Sequence, residues 1–317
     1  EMKVTYQGVI GCFSSMVCER CFPDAVHRSC LTFGDAMQSV VNGEADVAVI
    51  PVENSTAGRV TEVYGILPES SLFITGEAFL PVHYCLMVPT KFVRGLPPQN
   101  LSDDELLAWK RSAPTADELK AAVSRIAEVR SHPQGLAQCQ KFLQRVLPNA
   151  RLRDAWDTAG AARDLAQEMT PNVAVLAPAG ALTRYKMTAL MENVEDQSGN
   201  TTRFLFLKKT PLKPEELHKK SLITSLFFRT KHQAGALVEA LKVFQKHNIN
   251  MTKLETYMTG IHHSEPVFYV DVAMNQFDEN GRKTMEELKA VTLGVQSLGT
   301  YEASDARSET AGFLPVE

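Results

Sequence analysis

The 317-residue chain is predicted to be an α/β protein that ends in a ferredoxin-like domain with the order βαββαβ. Predicted strands alternate with predicted helices up to about residue 207, which favours a doubly wound arrangement around a parallel sheet. Residues 46–52 are almost continuously apolar, a pattern typical of strands buried on both faces of such a sheet. The change of order after residue 220 indicates the split βαβ unit of ferredoxin-like domains.

The elements of the first region follow from apolar periodicity and from the turn residues between the apolar segments. The predicted strands are residues 3–8, 46–52, 72–77, 83–88 and 173–176. The predicted helices are residues 33–41, 135–146 and 155–169. Residues 93–120 are rich in proline, serine and charge, and we expect them to form a surface insertion.

A linker separates this region from the C-terminal domain. Residues 208–220 contain two prolines and five lysines, a composition typical of linkers. The elements predicted after the linker are strands at residues 221–228, 251–259, 266–274 and 295–301 and helices at residues 234–247 and 282–290. Residues 302–317 are polar, and we expect them to form a frayed tail.

Composition argues against several classes of partner. The net charge of −4 provides no electrostatic footprint for nucleic acid, and no apolar run approaches the ~18 residues of a membrane span. The six cysteines include one CxxC, from Cys18 to Cys21, without a second pair to complete a zinc set. We therefore expect no metal site, and unpaired thiols in a reducing, cytoplasmic compartment. The alternative left open is an organellar targeting segment removed before residue 1.

Two polar turns follow predicted strands, and each has a functional and a structural interpretation. Gly8 and Gly11, with Ser14 behind them, suit either a carboxylate or phosphate site at a helix N-terminus or a tight turn with a capping serine. Ser14 stands where the dinucleotide-binding fingerprint has its third glycine, so no dinucleotide cofactor is expected. Asn54 and Ser55 follow the apolar strand, where they either bind an anion or cap a loop.

Two predicted helix starts are ambiguous in the same way. Pro133 suits the first turn of a helix with Ser131 or His132 as its cap, whereas a histidine at this place also suits a general base. Thr158 opens the next helix, where it either lines a close approach to a ligand or belongs to a well-capped packing face.

In combination and in this order, these segments resemble the motifs of prephenate dehydratases and of the related arogenate dehydratases. The matching segments are Tyr6-Gln7-Gly8-Val9-Ile10-Gly11-Cys12-Phe13-Ser14, Pro51-Val52-Glu53-Asn54-Ser55, Ser131-His132-Pro133-Gln134 with Gln138, Asp157-Thr158-Ala159, and Asn200 with Thr202-Arg203-Phe204. Gly235-Ala236-Leu237-Val238 resembles the Gly-Ala-Leu block of the family's regulatory ACT domain. The resemblance extends over residues 3–301.

The resemblance implies a catalytic region with two lobes like those of periplasmic binding proteins, an active site in the cleft and a C-terminal ACT domain. The catalytic domain is then residues 1–207, with lobe one at 1–85 and 190–207 and lobe two at 86–189. The remaining parts are a linker at 208–220, the ACT domain at 221–301 and a tail at 302–317. No helical chorismate mutase segment precedes residue 3, so we expect a monofunctional enzyme.

The implied reaction is the decarboxylating dehydration of prephenate to phenylpyruvate, or of arogenate to phenylalanine. Loss of carbon dioxide and water makes the ring aromatic, and the reaction needs no cofactor or metal. The resemblance also implies L-phenylalanine as an effector and a homodimer or homotetramer as the assembly. The residues leave the choice between prephenate and arogenate open.

The resemblance assigns roles to individual residues. Thr202 is placed at the leaving hydroxyl as a positioned hydrogen-bond donor, with Asn54 beside it in the catalytic group. Glu53 either feeds a proton or braces the loop. Arg203 either contacts the substrate or forms a structural ion pair, because a strand points it away from Thr202. The other predicted substrate contacts are Ser14, Ser55, Ser131, Gln138, Thr158 and Phe204.

The chain departs from the family pattern at two places. Cys12 stands where the family usually has threonine or alanine, and Glu255-Thr256-Tyr257-Met258 replaces the regulatory Glu-Ser-Arg-Pro. We expect the second change to alter the strength of inhibition by phenylalanine, since tyrosine does not replace an arginine fork. The predicted effector site comprises Gly235, Ala236, Leu237, Val238 and Glu255.

Two non-enzymatic classes stay open at this point. A solute-binding protein shares the two-lobed fold, and an amino-acid sensor has an active ACT domain beside an inactive α/β region. The intact Glu53-Asn54-Ser55 and Thr202-Arg203-Phe204 segments favour the enzyme. Conversion of prephenate to phenylpyruvate distinguishes the three classes.

Overall fold

The structure is a computed structural model that describes residues 1–257 and 266–316, apart from the side chain of Tyr257. Its strands are β1 (Lys3–Gln7), β2 (Val26–Cys30), β3 (Val47–Asn54), β4 (Gly58–Arg59), β5 (Phe73–Pro81), β6 (Cys85–Pro89), β7 (Glu128–Ser131), β8 (Arg151–Asp154), β9 (Val173–Ala177), β10 (Met187–Met191), β11 (Thr201–Lys208), β12 (Leu222–Arg229), β13 (Met251–Tyr257), β14 (Val267–Val272) and β15 (Gly294–Glu302). Its helices are α1 (Phe13–Cys21), α2 (Phe33–Val41), α3 (Thr61–Ile66), α4 (Asp103–Arg111), α5 (Ala116–Ser124), α6 (Pro133–Gln138), α7 (Gln140–Val146), α8 (Thr158–Glu168), α9 (Gly180–Arg184), α10 (Ala236–Lys246) and α11 (Glu279–Val291).

The chain divides into two compact units. Unit 1 consists of Glu1–Gln7, Val17–Pro81 and Gly199–Glu317, and unit 2 consists of Gly8–Met16 and Val82–Ser198. The C-terminal region therefore belongs to the same unit as the first strands of the chain. The limits expected from the sequence for the lobes and the linker stay predictions.

The first sheet of unit 1 is mixed rather than all parallel. Its strand order is β2-β1-β3-β11-β5, with the short β4 paired to β3. β1 runs parallel to β2 and β3, whereas β11 runs antiparallel to both β3 and β5. β3 begins with four fully buried residues, as expected from its apolar sequence. The antiparallel β11 returns from residue 201 beside the polar end of β3, and this return creates the site described below.

The C-terminal region has the predicted ferredoxin-like arrangement. Its four strands are antiparallel neighbours in the order β13-β14-β12-β15, and helices α10 and α11 lie between them in the chain. The observed element order is βαββαβ, so this prediction is confirmed.

Unit 2 contains its own five-stranded sheet, in the order β10-β6-β9-β7-β8. β7 is parallel to β8 and β9, whereas β6 is antiparallel to β9 and β10. The apolar side chains of this sheet pack against helices, in a core that includes Leu86, Val129, Phe142 and Leu176.

The two sheets of unit 1 share one hydrophobic core. Ile50 and Leu205 of the first sheet lie in the same cluster as Phe227, Tyr269 and Leu298 of the C-terminal sheet. The C-terminal sheet is therefore packed onto the first sheet, and removing it would expose a large part of the core of unit 1.

The structure corrects the prediction of a frayed tail. Residues 305–309 form a short 3-10 helix, and Arg307 is only 3% exposed and donates to the carboxylate of Glu77. The surface position of residues 93–120 agrees with the structure except at Val93, which is buried in the core of unit 2, and helix α4 contains no buried residue. Within this segment Arg94 lies 3.8 Å from the ring centroid of Trp109. No helix in the described part of the chain is long and apolar enough to cross a membrane.

The close packing of helix α11 against the residues before it can be tested at the buried Gly281. A Cβ at Gly281 would lie 1.8 Å from the carbonyl oxygen of Asn275, so we expect Gly281→Ala to lower the free energy of unfolding by at least about 1–3 kcal/mol. Gly65 is also helical, but a methyl group added there would meet no atom within 4 Å, so Gly65→Ala is expected to be neutral or stabilising by up to about 1 kcal/mol. Urea unfolding of the two variants measures both changes, and equal stabilities would contradict the packing described here.

Candidate active site

A side-chain hydrogen bond joins the polar end of β3 to the start of β11. The antiparallel register places Asn54 opposite Thr202, and Asn54 Nδ2 donates to Thr202 Oγ1 over 3.1 Å. Asn54 Oδ1 accepts from the backbone N–H groups of Thr56 and Ala57, both at 3.0 Å. These two bonds orient the amide, so its NH2 group faces the threonine hydroxyl.

The Thr202 hydroxyl uses its oxygen as an acceptor and keeps its proton for donation. Its oxygen accepts from Asn54, and its O–H donates to no acceptor among the described residues. Thr202 is half-buried, so its hydroxyl proton is available to an incoming group. This geometry is compatible with a preorganised hydrogen-bond donor, and the role of Thr202 at the leaving hydroxyl stays a prediction.

Ser55 connects the same two segments through the backbone. Its Oγ accepts from Thr201 N over 2.9 Å and donates to Asn200 Oδ1 over 3.3 Å, while its own N–H donates to Thr201 O over 2.9 Å. The hydroxyl is thus engaged in holding the start of β11. A direct contact of Ser55 with substrate stays a prediction.

Arg203 lies on the opposite face of β11 from Thr202, as strand alternation requires. Its side chain is 0% exposed. The guanidinium donates to Glu77 at 2.8 Å, Glu53 at 2.9 Å, Asp271 at 2.7 Å and the hydroxyl of Tyr301 at 3.0 Å. The substrate-binding role predicted for Arg203 is therefore wrong, and the alternative prediction of a structural ion pair is confirmed.

The buried cluster around Arg203 carries large and opposed electrostatic effects. Burial lowers the pKa of Arg203, but Asp271 and its other anionic neighbours outweigh this effect and raise it well above the ordinary value. Burial raises the pKa of Glu77 and Asp271, whereas Arg203 lowers it, and the net pKa of each carboxyl lies below its ordinary value. Both carboxylates and the guanidinium are thus charged in the folded protein near neutral pH.

Glu53 belongs to this cluster rather than to the face of Thr202. Its Oε1 accepts from Arg203 at 2.9 Å, and its Oε2 accepts from Lys253 at 2.6 Å. Both oxygens are occupied by cations on the side of the sheet away from Thr202. The structure therefore contradicts a proton-feeding role for Glu53 and supports the alternative that it braces the loop.

Two further predicted substrate contacts are buried. Phe204 is 1% exposed within β11, so its side chain presents no surface to a ligand. Ser131 is fully buried, and its Oγ donates to Leu176 O over 2.8 Å, which ties β7 to β9. The hydroxyl of Ser131 thus has a structural role, and direct contact of Phe204 or Ser131 with substrate stays a prediction.

The helix starts of unit 2 have the caps expected from the sequence. His132 Nδ1 accepts from Gln134 N over 3.1 Å, with Pro133 as the first residue of α6. The predicted cap at His132 is thus confirmed. Asp157 Oδ1 caps α8 by accepting from Gly160 N over 2.8 Å.

The remaining predicted contacts also belong to unit 2. Ser131 and Thr158 both border Gly135, where a Cβ would lie 2.4 Å from Ser131 Oγ and 3.3 Å from Thr158 Cγ2. Oε1 of Gln138 is buried without a hydrogen-bond partner among the described residues, which suits a polar ligand. Ser14 is buried in the first turn of α1. Contacts of Ser14, Gln138 and Thr158 with substrate stay predictions.

The turn before α1 requires its two glycines. Gly8 and Gly11 have φ values of +116° and +99°, and a Cβ at Gly11 would lie 3.1 Å from Ala181 Cα. Burial raises the pKa of the adjacent Cys12 to about 12, so this thiol is protonated near neutral pH and is not a nucleophile.

The predicted effector residues lie on two elements of the C-terminal region. Gly235 has φ +83° and immediately precedes α10, in which Val238 is exposed and Leu237 is half-buried. Glu255 on β13 accepts from Arg59 at 3.1 Å and lies 3.7 Å from Lys253. The side chain of Tyr257 and all of Met258, which the sequence singled out, lie outside the described residues.

Four residues of the ion cluster were not predicted from the sequence: Glu77, Lys253, Asp271 and Arg307. A signal was present for Glu77 and Asp271, since each is an acid inside an otherwise apolar strand. A buried charge in such a position requires a partner. The described residues contain no group of three or more metal-binding side chains.

Comparisons with known proteins agree with this arrangement. A family model described as prephenate dehydratase matches residues 4–212. A bifunctional chorismate mutase/prephenate dehydratase of Enterobacter agglomerans is 31% identical over 307 residues, which cover 96% of this chain and 71% of the relative. A chloroplastic arogenate dehydratase/prephenate dehydratase of Arabidopsis thaliana is 30% identical over 313 residues, covering 95% and 73%. The chain belongs to the prephenate dehydratase family, whose members are lyases.

Two solved structures share the fold. The structure of GqqA, described as a novel type of quorum-quenching acylase, has a TM-score of 0.78 and 28% identity, and covers 96% of this chain and 99% of its own. The prephenate dehydratase of Arthrobacter aurescens in complex with L-Phe has a TM-score of 0.77 and 22% identity, with coverage of 95% and 90%. The second likeness concerns the fold alone.

The ion cluster generates a prediction about stability. We expect Asp271→Asn to lower the free energy of unfolding at pH 7 by about 3–5 kcal/mol, because it leaves the buried Arg203 with an incomplete set of anions. The pKa values of Asp271 and Glu77 are depressed in the folded state. Their stabilisation is thus complete above their unfolded pKa of about 4 and is lost as the pH falls through the lower folded values.

The wild-type protein should therefore lose stability on acidification below about pH 4, and Asp271→Asn, with one such carboxyl fewer, should lose less. Urea unfolding between pH 3 and pH 7 gives the free energy of unfolding of wild type and of Asp271→Asn, and the slope of each against pH is compared. Lys219 forms an exposed pair with Asp305, so Lys219→Met serves as a control that should cost less than about 1 kcal/mol. Parallel slopes for wild type and Asp271→Asn would refute the assignment.

Proposed function

We propose that this chain catalyses the decarboxylating dehydration of prephenate to phenylpyruvate, a step of phenylalanine synthesis. The hydrogen bond from Asn54 Nδ2 to Thr202 Oγ1 is the observation that supports this proposal most directly. It uses the acceptor side of the threonine hydroxyl and leaves its proton for the leaving group of the substrate.

In the proposed reaction, the bond from the ring to its carboxylate breaks and carbon dioxide leaves. The released electron pair completes the aromatic ring as the bond to the 4-hydroxyl breaks on the opposite side. The departing hydroxide takes one proton and leaves as water. The product is phenylpyruvate, and no electron acceptor enters the balance.

Thr202 contributes to this step as a hydrogen-bond donor to the developing hydroxide. A threonine hydroxyl is too weak an acid to give up its proton fully, and water supplies the proton that completes the leaving group. The O–H dipole of Thr202 is already oriented in a partly buried site, so it stabilises the charge that develops on the departing hydroxide without reorganising. A charged side chain is therefore not needed there. Glu53 acts only indirectly, through the cluster on the other face of the sheet.

Two other activities belong in the first assay. Arogenate has the same leaving groups, and the relative from Arabidopsis thaliana is named for both substrates. GqqA shares the fold but is described as an acylase, and a fold does not fix a reaction. Prephenate, arogenate and an N-acylated amine should therefore be supplied side by side, with phenylpyruvate, phenylalanine and the free amine as the measured products.

The oriented Asn54–Thr202 pair would also suit a binding site. Turnover of prephenate or arogenate therefore decides between the enzyme and the two non-enzymatic classes. Failure to convert either prephenate or arogenate would refute the proposed function.

We also propose L-phenylalanine as an effector, bound where Gly235 opens α10, because a helix N-terminus offers N–H groups to a carboxylate. Glu255 and Lys253 lie on the strand expected to form the other side of that site. Glu255 contacts Arg59 and Lys253 contacts Glu53 of the first sheet. These contacts connect the proposed effector site to the loop that carries Asn54.

We propose that the ACT regions pair in a homodimer or homotetramer, and that the chain works in a reducing compartment.

The role of Thr202 is tested by two substitutions. Thr202→Val keeps the shape but removes the donor, and we expect kcat to fall by ~10²–10³ with little change in KM. Thr202→Ser retains the hydroxyl and is the matched control, with kcat expected within about tenfold of wild type. A valine variant that keeps more than half of the wild-type kcat would exclude this role.

The effector site is tested at Gly235. Its φ of +83° favours glycine, and no atom lies within 4 Å of a Cβ there, so Gly235→Ala changes the turn without a steric clash. We expect the concentration of phenylalanine that halves activity to rise by about fivefold or more, the equivalent of the ~1 kcal/mol strain.

Gly43→Ala is the control for this test, since Gly43 has φ +77° and equally open surroundings far along the chain. It should leave the response to phenylalanine unchanged. Tyrosine and tryptophan serve as comparison ligands. Deleting the whole C-terminal region is a poor alternative, because it would uncover Arg203 and the shared core. Equal responses of Gly235→Ala and wild type would contradict the proposed site.

A further inference from the structure

The segment that follows the last strand of the C-terminal sheet returns to the first sheet. We call residues 304–314 the C-terminal strap. It begins two residues after β15, where Ser304 N donates to Glu77 Oε2 over 2.9 Å. Glu77 lies on β5 and also accepts from Arg203. The strap therefore starts at the ion cluster behind the candidate active site.

Arg307 anchors the strap to this cluster. Its Nε and Nη2 donate to the two oxygens of Glu77 at 2.9 and 2.7 Å, an arrangement of two parallel bonds that fixes the guanidinium. Its Nη1 donates to Leu314 O over 2.8 Å. One buried side chain thus holds both the beginning of the strap and its far end.

The far end lies against the loop that carries Asn54. The ring of Phe313 packs edge-on against that of Phe79, with centroids 4.8 Å apart. Gly312 has φ +91°, and a Cβ there would lie 2.9 Å from the Cβ of Ser55. A side chain at position 312 would collide with Ser55, so glycine allows the strap to pass this close to the loop.

Ser55 connects the strap to the Asn54–Thr202 pair. Its hydroxyl and its N–H hold Thr201, the residue before Thr202, and Ser55 directly follows Asn54. A displacement of Ser55 therefore changes the distance between the Asn54 amide and the Thr202 hydroxyl, which are 3.1 Å apart.

We propose that the C-terminal strap is a positioning element for the reaction, and that Gly312 seated on Ser55 holds Asn54 and Thr202 in their hydrogen-bonded geometry. This inference rests on the proposed function of the Asn54–Thr202 pair. Gly312, Phe313 and Arg307 do not touch the substrate and act through Ser55. Their contribution is orientation of the donor, so it belongs to kcat rather than to substrate binding.

The test uses the full-length enzyme and a matched pair of glycine substitutions. Gly312→Ala adds a methyl group against Ser55 at a left-handed position, whereas Gly43→Ala adds one at a left-handed position with open surroundings in the same unit. We expect Gly312→Ala to lower kcat by about tenfold, since small displacements of a donor are costly, with KM within about twofold. Gly43→Ala should keep the wild-type kcat.

Phe313→Ala provides a second, independent variant that introduces no strain. It removes the ring contact with Phe79 and should lower kcat in the same direction, again with KM little changed. Thermal unfolding of all variants is followed in parallel, so that loss of activity is compared at equal folded fractions. Arg307 is left unchanged, because its removal would uncover the buried Glu77.

The outcomes separate the two levels of the argument. If the wild-type enzyme converts neither prephenate nor arogenate, the proposed function is refuted. The positioning role proposed for the strap is then refuted as well. If the wild type is active and Gly312→Ala and Phe313→Ala keep a kcat within twofold of it, the function stands and the strap proposal is overturned. An equal loss in Gly43→Ala, or a rise in KM at constant kcat, also overturns it.

Discussion

The requirement that Arg203 be neutralised governs the organisation of unit 1. A guanidinium with no exposed surface is tolerated only when carboxylates meet it with good geometry. Its carboxylate partners come from three different strands, with Glu53 on β3, Glu77 on β5 and Asp271 on β14. The cluster therefore fixes the position of the C-terminal sheet against the first sheet at the point where the candidate active site lies on the other face.

Strand alternation links this cluster to chemistry. Thr202 and Arg203 are neighbours in sequence but point to opposite faces of β11, and the same holds for Asn54 and Glu53 on β3. One face carries the hydrogen-bonded donor pair, and the other carries the ion pairs that hold both strands in register. Each of the two segments thus places a residue of the Asn54–Thr202 pair next to a residue of the ion cluster, and a substitution of either changes the same piece of backbone.

The parts of the structure that depend on local pattern were predictable. The ferredoxin-like order, the buried strand β3 and the caps at His132 and Asp157 follow from periodicity and from capping residues, which act within a few positions. Burial of Phe204 and Ser131, the occupied oxygens of Glu53 and the ordered C-terminal strap were not predictable in this way. Each depends on partners that lie far away in the chain, such as Leu176 for Ser131 and Glu77 for Arg307.

The sequence by itself determined the classes of element, the order of the strands and helices and, through its motifs, the family. Those features depend on residue type and spacing, which are properties of the unfolded chain. The tertiary structure decided which neighbours of Thr202 lie on its own face of the sheet and which belong to the buried ion cluster on the other face. That choice depends on the face of the sheet and on whether a charge finds its partner in the core, and only the packed chain fixes either one.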